Sequence, residues 1–431
     1  MIASGAAQTP AAAIADIDRR RARRTVAAIC GMLYYQGYTM AINGIGAPWI
    51  AKSFNLGESG IATLYAWISI SALGALALSR LADRIGRRRV LLTCMLATPL
   101  SALGAALSQD IVLFTVCEIF LYAFIGATIS GSVVMLAEEL PIAQRAKGQS
   151  YGGLAMGLGA GLCVLLMPLL EHGGYSWRWL LVISAAGLAG LPFVVGALPE
   201  SQRWEHAAAS GATRASGFAD AFRKRYRHRA LPIMICALLS ATTGTAINSW
   251  SYFHAVSVVG LPASMASLVI LIGGGLGMTG FPLAAWGCER VGRVPTVVTC
   301  GLLVTAGALF FYWGPPAHFA LPALWLGAGF CWFTVAGNGA MVGGNAAATE
   351  LFPTALRGTM IGWFTLINAI GALSAQSAIA LLANPLGGLS NVVGYLAMLA
   401  IPSAIIFGLF IEETRGLSLE VAAREETEAR G

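Results

Sequence analysis

Twelve long apolar stretches, separated by short polar loops, constrain this chain more than any other feature of it. They lie near 26–51, 60–79, 88–108, 111–137, 147–170 and 177–198 (spans 1–6), then near 230–257, 262–286, 294–314, 318–347, 357–383 and 387–411 (spans 7–12). A bilayer's hydrocarbon core needs roughly 20 apolar helical residues to cross it. Inside that core every backbone polar group must be satisfied within the segment, which selects helices. Only 11% of the 431 residues are charged, against about a quarter in soluble domains. The expected fold is all-α, a polytopic membrane protein with 12 transmembrane helices. An ordinary soluble enzyme is excluded.

Charge placement supports the count. With both termini on one side, the loops on that side collect Arg84, Arg87, Arg88, Arg89, Arg145, Lys147, Arg203, Arg223, Lys224, Arg225, Arg227, Arg229, Arg290, Arg293, Arg357 and Arg415. The opposite loops hold Lys52 and Arg178. That asymmetry follows the positive-inside rule, so both termini are expected in the cytoplasm. No cleavable apolar segment precedes span 1, which agrees with a cytoplasmic tail at 1–25. The Ala/Gly/Arg-rich composition points to a bacterial plasma membrane.

The basic pI of about 9.1 then reports topology. No aromatic residues interleave with the basic runs, so a nucleic-acid partner is not expected. The three lysines, Lys52, Lys147 and Lys224, each follow a residue other than glycine, which excludes a phosphate-binding G-x-x-x-x-G-K-[ST] loop. Transport driven by ATP hydrolysis within this chain is thereby ruled out. The eight cysteines are scattered singly and the five histidines lack ligand spacing. Neither a metal nor a cofactor is expected.

The two halves repeat in order. Ala41-Ile42-Asn43 recurs as Ala246-Ile247-Asn248, and Asp83-Arg84-x-Gly86-Arg87 recurs as Glu289-Arg290-x-Gly292-Arg293. Glu138-x-x-Pro141-x-x-x-Arg145 recurs as Glu350-x-x-Pro353-x-x-x-Arg357, and Glu200-Ser201 as Glu413-Thr414. All four offsets fall between 205 and 213 residues. The expected organisation is a cytoplasmic tail (1–25), a six-helix bundle (26–200), a cytoplasmic linker (201–229), a second six-helix bundle (230–411) and a cytoplasmic tail (412–431). Parallel six-helix repeats are an architecture of gradient-driven carriers.

Ser79-x-x-x-Asp83-Arg84-x-Gly86-Arg87-Arg88 resembles the loop 2–3 signature of the major facilitator superfamily, with Ser79, and Ala285 in the second half, where that signature normally has glycine. Trp177-Arg178-Trp179, Pro199-Glu200-Ser201, Glu350-Leu351-Phe352-Pro353-Thr354-x-x-Arg357-Gly358 and Glu413-Thr414-Arg415-Gly416 look like the same superfamily. Gln36-Gly37-Tyr38-Thr39-Met40-Ala41-Ile42 followed by Ala47-Pro48 resembles the aromatic acid:proton symporters and their sugar-carrier cousins. In that group aspartates typically stand at the Gln36 and Thr39 positions, an arginine at the position of Glu118, and Arg-Ile-Gly at Ala369-Ile370-Gly371. The resemblance implies that spans 1, 4, 7 and 10 line a central cavity.

Within the spans, Glu118 is the carboxylate placed deepest, and such a group usually marks an ion or proton path. Tyr122 sits one turn away and is positioned to bond it. The alternative is that span 4 starts later and Glu118 lies near the outer water, Asp110 being eight residues earlier. His254, three residues after Ser251, is a second candidate for proton coupling, against a structural role. Gln36, Thr39 and Asn43 form one stripe on span 1. Thr245, Asn248 and Tyr252 form another on span 7, and Asn338, Asn345 and Asn368 add amides. Gln36, Thr39, Asn43, Asn248, Tyr252, Asn338 and Asn368, with Tyr122, are read as substrate-binding, with interhelical hydrogen bonding as the alternative. Trp332, with Trp67, Trp250 and Trp363, is read as a wall for a ring-shaped solute, against an interfacial belt. Gly153-x-x-x-Gly157-x-x-x-Gly161 and Gly273-Gly274-Gly275-x-Gly277 are read as close-packing surfaces.

The duplicated loop residues Asp83, Arg84, Arg87, Glu138, Arg145, Glu289, Arg293, Glu350 and Arg357 are read as a gate, a carboxylate meeting a helix N-terminus. The alternative is a solvated turn that fixes topology. The leading function is secondary active transport of a small organic solute (an organic acid, aromatic or sugar-like metabolite) by proton-coupled symport. The Gly-Pro signature of drug antiporters is absent from span 5, where Pro168 follows Met167. A proton-independent facilitator, an efflux carrier and a non-transporting sensor are the alternatives. The expected partners are a small-molecule substrate, protons and the lipid bilayer, with the chain acting as a monomer.

Overall fold

The computed structural model describes residues 10–140, 142–200, 227–314, 321–352 and 354–415. These are organised as helices, with no strand among them. Among the described residues, ten helices are long and apolar enough to cross a membrane, from Glu58–Ile85 through Leu389–Phe410. The helices Pro10–Ser53 and Pro322–Glu350 supply the other two expected spans. Residues 201–226 of the expected linker and the tail beyond 415 lie outside the described residues.

Local chemistry sets where the spans begin. Asp110 caps span 4, its carboxylate accepting the amides of Val112 and Leu113 at 2.8 and 3.1 Å, as an N-cap side chain does. Spans 3 and 9 start after Gly86 and Gly292, with φ of 110° and 131°. A side chain rarely adopts that backbone, and at Gly292 a Cβ would also lie 2.6 Å from the Glu413 carboxylate. Span 7 is one helix from Arg227 to Ser249, then continues as a short turn, Ser251–Phe253, and a π-helical turn, His254–Val258.

The chain divides into two compact units, made of the described residues within Met1–Ile42, Ser71–Cys163 and Arg178–Thr213, and within Asn43–Ile70, Val164–Trp177 and Arg214–Gly431. In the first, Ile29, Met32 and Leu33 of span 1 pack with Leu91 and Met95 of span 3, Leu136 of span 4 and Val194 of span 6. In the second, Ile233 and Met234 of span 7 pack with Phe352, Met360 and Phe407. The second unit also includes the helix Glu58–Ser69, which packs along Thr354–Leu382. There the Tyr65 ring lies 5.6 Å from Trp250, and its hydroxyl donates to the Asn43 carbonyl.

The small-residue surfaces differ in phase from the sequence expectation. Around Gly153 and Gly157 nothing lies within 4 Å of where a Cβ would stand. The packed face of span 5 is the neighbouring one. A Cβ at Gly152 would stand 2.7 Å from Leu33 Cδ1, one at Gly159 would run into the Tyr34 carbonyl, and one at Gly37 into the Met156 carbonyl. In span 8, Gly273 and Gly277 do pack, against Phe330 and Thr334, while Gly275 faces open space.

Candidate functional site

Three of the expected substrate residues line one cavity. Asn248 of span 7, Asn338 of span 10 and Asn368 of span 11 surround a volume of about 520 Å³ in the second unit, together with Phe333, Phe364 and Ser403. No acidic, basic or histidine side chain is among the described residues that line it. Asn338 donates through Nδ2 to the Gly277 carbonyl at 3.0 Å, and Asn248 to Gly244 at 2.9 Å. Those bonds orient the two amides and leave each with a carbonyl oxygen and a second N–H for a solute. The size falls within the roughly 300–1,000 Å³ of small-molecule sites.

The span 1 stripe is placed differently. Gln36 and Thr39 are fully buried. Gln36 Nε2 approaches Met95 Sδ at 3.6 Å. Thr39 Oγ1 lies 3.0 Å from Ser184 Oγ and donates to the Tyr35 carbonyl. Gln36 and Thr39 therefore face spans 3 and 6, where their polar atoms tie helices together. Asn43 is buried as well. Helical spacing put these residues on one face correctly, but carries no information about what that face meets.

Trp332 does not line the cavity. It is 40% exposed, with its ring 6.0 Å from Phe310, and its neighbour Phe333 points inward instead. Tyr252 is buried, its hydroxyl 3.1 Å from Ser267 Oγ and its ring 6.2 Å from Trp49. His254 is buried between Phe311 and Tyr312, with Nδ1 3.1 Å from Ser390 Oγ. Both side chains bind span 7 to its neighbours.

Glu118 is fully buried. Asp110 caps span 4, so the helix begins before Glu118 rather than after it, and the carboxylate stands about 12 Å along the axis from the cap. Tyr122 donates to the Met40 carbonyl at 2.8 Å.

The loop charges form two related arrangements. In the first unit Arg87 pairs with Glu138 and, at 3.4 Å, with the exposed Asp83. Glu200 Oε1 accepts the main-chain amides of Arg87 and Arg88, each at 3.0 Å. In the second unit Glu413 accepts the amides of Arg293 and Val294, each at 3.0 Å. A carboxylate thus caps the start of span 3 and of span 9, where the helix dipole favours negative charge. At the far end of span 3, Arg178 donates to the carbonyls of Ala106 and Ser108 at 2.9 and 2.6 Å. Arg84 and Glu289 are exposed. The side chains of Arg145, Glu350 and Arg357 lie outside the described residues.

Sequence reasoning assigned Glu200, Glu413 and Arg178 no role. The repeat of Glu200 and Glu413, and the resemblance of all three to superfamily motifs, are the signals the sequence offers. Glu58 carried no signal, although its carboxylate accepts the Leu389 amide at 2.6 Å across 331 residues of sequence.

Helices of membrane-spanning length and an amide-lined cavity are the architecture of a multi-pass membrane transporter of small molecules. The chain belongs to the Major Facilitator Superfamily, whose family model matches residues 27–376. It is 24% identical over 386 residues to the gentisate transporter of Corynebacterium glutamicum, covering 86% of this chain and 84% of that one. It is 25% identical over 386 residues to the gallate transporter of Pseudomonas putida, covering 79% of this chain and 81% of that one. The crystal structure of a D-xylose-proton symporter matches with a TM-score of 0.71 and 18% identity, covering 92% of this chain and 99% of that one. Aromatic-acid carriers and sugar-proton symporters are the two groups the span 1 motif resembles.

Proposed function

We propose that this transporter moves a small aromatic or sugar-like solute across the bacterial plasma membrane, by proton-coupled symport and alternating access. The observation that carries this reading is the cavity walled by Asn248, Asn338, Asn368, Phe333 and Phe364, with no charged side chain among its described lining residues. Amides beside rings suit a solute with hydroxyl or carbonyl groups on an apolar frame. An anion would find no counter-charge there, so an aromatic acid is expected to occupy the cavity undissociated, together with its proton. The relatives' names, which include carriers of gentisate and gallate, agree in solute class.

Glu118 is assigned a step on the path by which that proton reaches and leaves the solute, because a buried carboxylate inside a span is costly unless it serves an ion path. The six-helix halves 26–200 and 230–411 are assigned the moving bodies, with both termini cytoplasmic and a monomer as the working unit. The capped loops around Arg87 and Arg293 are assigned the gate. A pH gradient across proteoliposomes tests the coupling. Glu118→Gln should abolish pH-driven accumulation of gentisate or gallate while counterflow exchange continues. Unchanged pH-driven uptake would remove Glu118 from the proton path.

A further inference from the structure

We propose that the first unit carries a binding site for the phosphate of an anionic phospholipid, built from Arg21, Arg24 and Arg88. These three side chains line a cleft of about 450 Å³ with Val195, Leu198 and Pro199 at the end of span 6. They come from two different spans and meet beside a third. Arg88 is held in place by Nε donating to the Leu198 carbonyl at 2.7 Å and Nη2 to Val195 at 2.8 Å. Arg21 is held by Glu139, 3.2 Å from its Nε, and by the Glu200 carbonyl, 3.0 Å from its Nη2. Arg24 is exposed and has no hydrogen bond or ion pair among the described residues.

The charge of this cleft is unbalanced. Glu139 answers Arg21, and the Glu200 carboxylate is turned to the amides of Arg87 and Arg88. The Arg88 guanidinium meets carbonyl oxygens, and Arg24 meets nothing described. Two fixed guanidinium groups and one unengaged one are the donor set that a phosphate takes up, because the planar fork matches its oxygens. The other wall of the cleft is apolar and continuous with a membrane-spanning helix, where Val195 and Phe193 are exposed. A soluble anion gains nothing from that wall. A lipid places its phosphate among the arginines and its chains along Val195 and Phe193. Basic pockets at the cytoplasmic ends of transmembrane helices attract anionic headgroups on the same grounds.

The test is native mass spectrometry of the purified full chain in detergent, titrated with phosphatidylglycerol, with phosphatidylcholine, and with inorganic phosphate as competitor. Arg24→Gln is the informative variant, since its removal breaks no described contact. Arg290→Gln, an exposed arginine at the end of span 8, is the control. Phosphatidylglycerol should be retained in preference to phosphatidylcholine, and Arg24→Gln should weaken its binding about fivefold. Arg290→Gln should bind as the unaltered chain does, and millimolar phosphate should leave the lipid in place. Equal retention of the two lipids, an unchanged Arg24→Gln, or an equal loss in Arg290→Gln would overturn the site. Displacement by inorganic phosphate would assign it to a soluble anion and overturn the lipid.

Discussion

The carboxylate of Glu58 caps the helix that starts at Leu389, accepting its main-chain amide at 2.6 Å. Ser59 adds a bond to the Ala380 carbonyl, so the first turn of span 2 grips the end of span 11 and the start of span 12. Glu58→Ala should lower the unfolding free energy in detergent by about 1–2 kcal/mol, the scale of a partly buried charge-assisted bond. Thermal unfolding measures it, and a melting temperature equal to that of the unaltered chain would show that the latch holds nothing.

Glu413 gives stability a pH dependence. Burial works against its charge, but the amides of Arg293, Val294, Arg415 and Thr414 outweigh that and hold the carboxyl below the ordinary glutamate range. A group held lower in the folded than in the unfolded chain stabilises above its unfolded pKa. That contribution is lost as pH falls through the folded value. Glu413→Gln should therefore melt earlier than the unaltered chain at pH 7. The gap should close as pH falls below about 4.3. Melting curves across pH check it, and a gap that stays constant would contradict the assignment.

The two faces of span 5 make opposite predictions. Gly159→Ala drives a methyl into the Tyr34 carbonyl, a backbone atom that cannot swing aside. It should cost several kcal/mol or prevent folding, as overpacking does. Gly157→Ala meets open space and should be tolerated, since alanine also favours the helix by roughly 1 kcal/mol. Yield and monodispersity in size-exclusion chromatography separate the two.

Much of this was legible in the chain because an apolar helix makes its few polar residues conspicuous. The spans follow from hydropathy, and Asn248, Asn338 and Asn368 stood out as amides on helices with little else polar. What the pattern lacks is the identity of the neighbour. Gln36 and Thr39 share a face, yet that face meets Met95 and Ser184. Trp332 is one residue from Phe333, and on a helix one residue turns the side chain by about 100°, away from the cavity. The G-x-x-x-G pattern marked a face of span 5 one residue out of phase with the packed one. Glu200 and Glu58 act on amides far away in the sequence, and main-chain amides have no sequence signature.

Solute binding in the cavity of Asn248, Asn338 and Asn368 is tested most directly by counterflow exchange of radiolabelled gentisate or gallate in proteoliposomes. Asn338→Ala removes a lining amide that is oriented by Gly277, and Trp332→Phe alters a ring outside the cavity. The expected result is saturable exchange by the unaltered chain, with KM raised about tenfold in Asn338→Ala, the scale of one lost hydrogen bond to a solute. Trp332→Phe should stay within about twofold, the scale of a substitution that touches no solute contact. Exchange by Asn338→Ala with an unchanged KM, or a larger loss in Trp332→Phe, would contradict the assignment of this cavity to the solute.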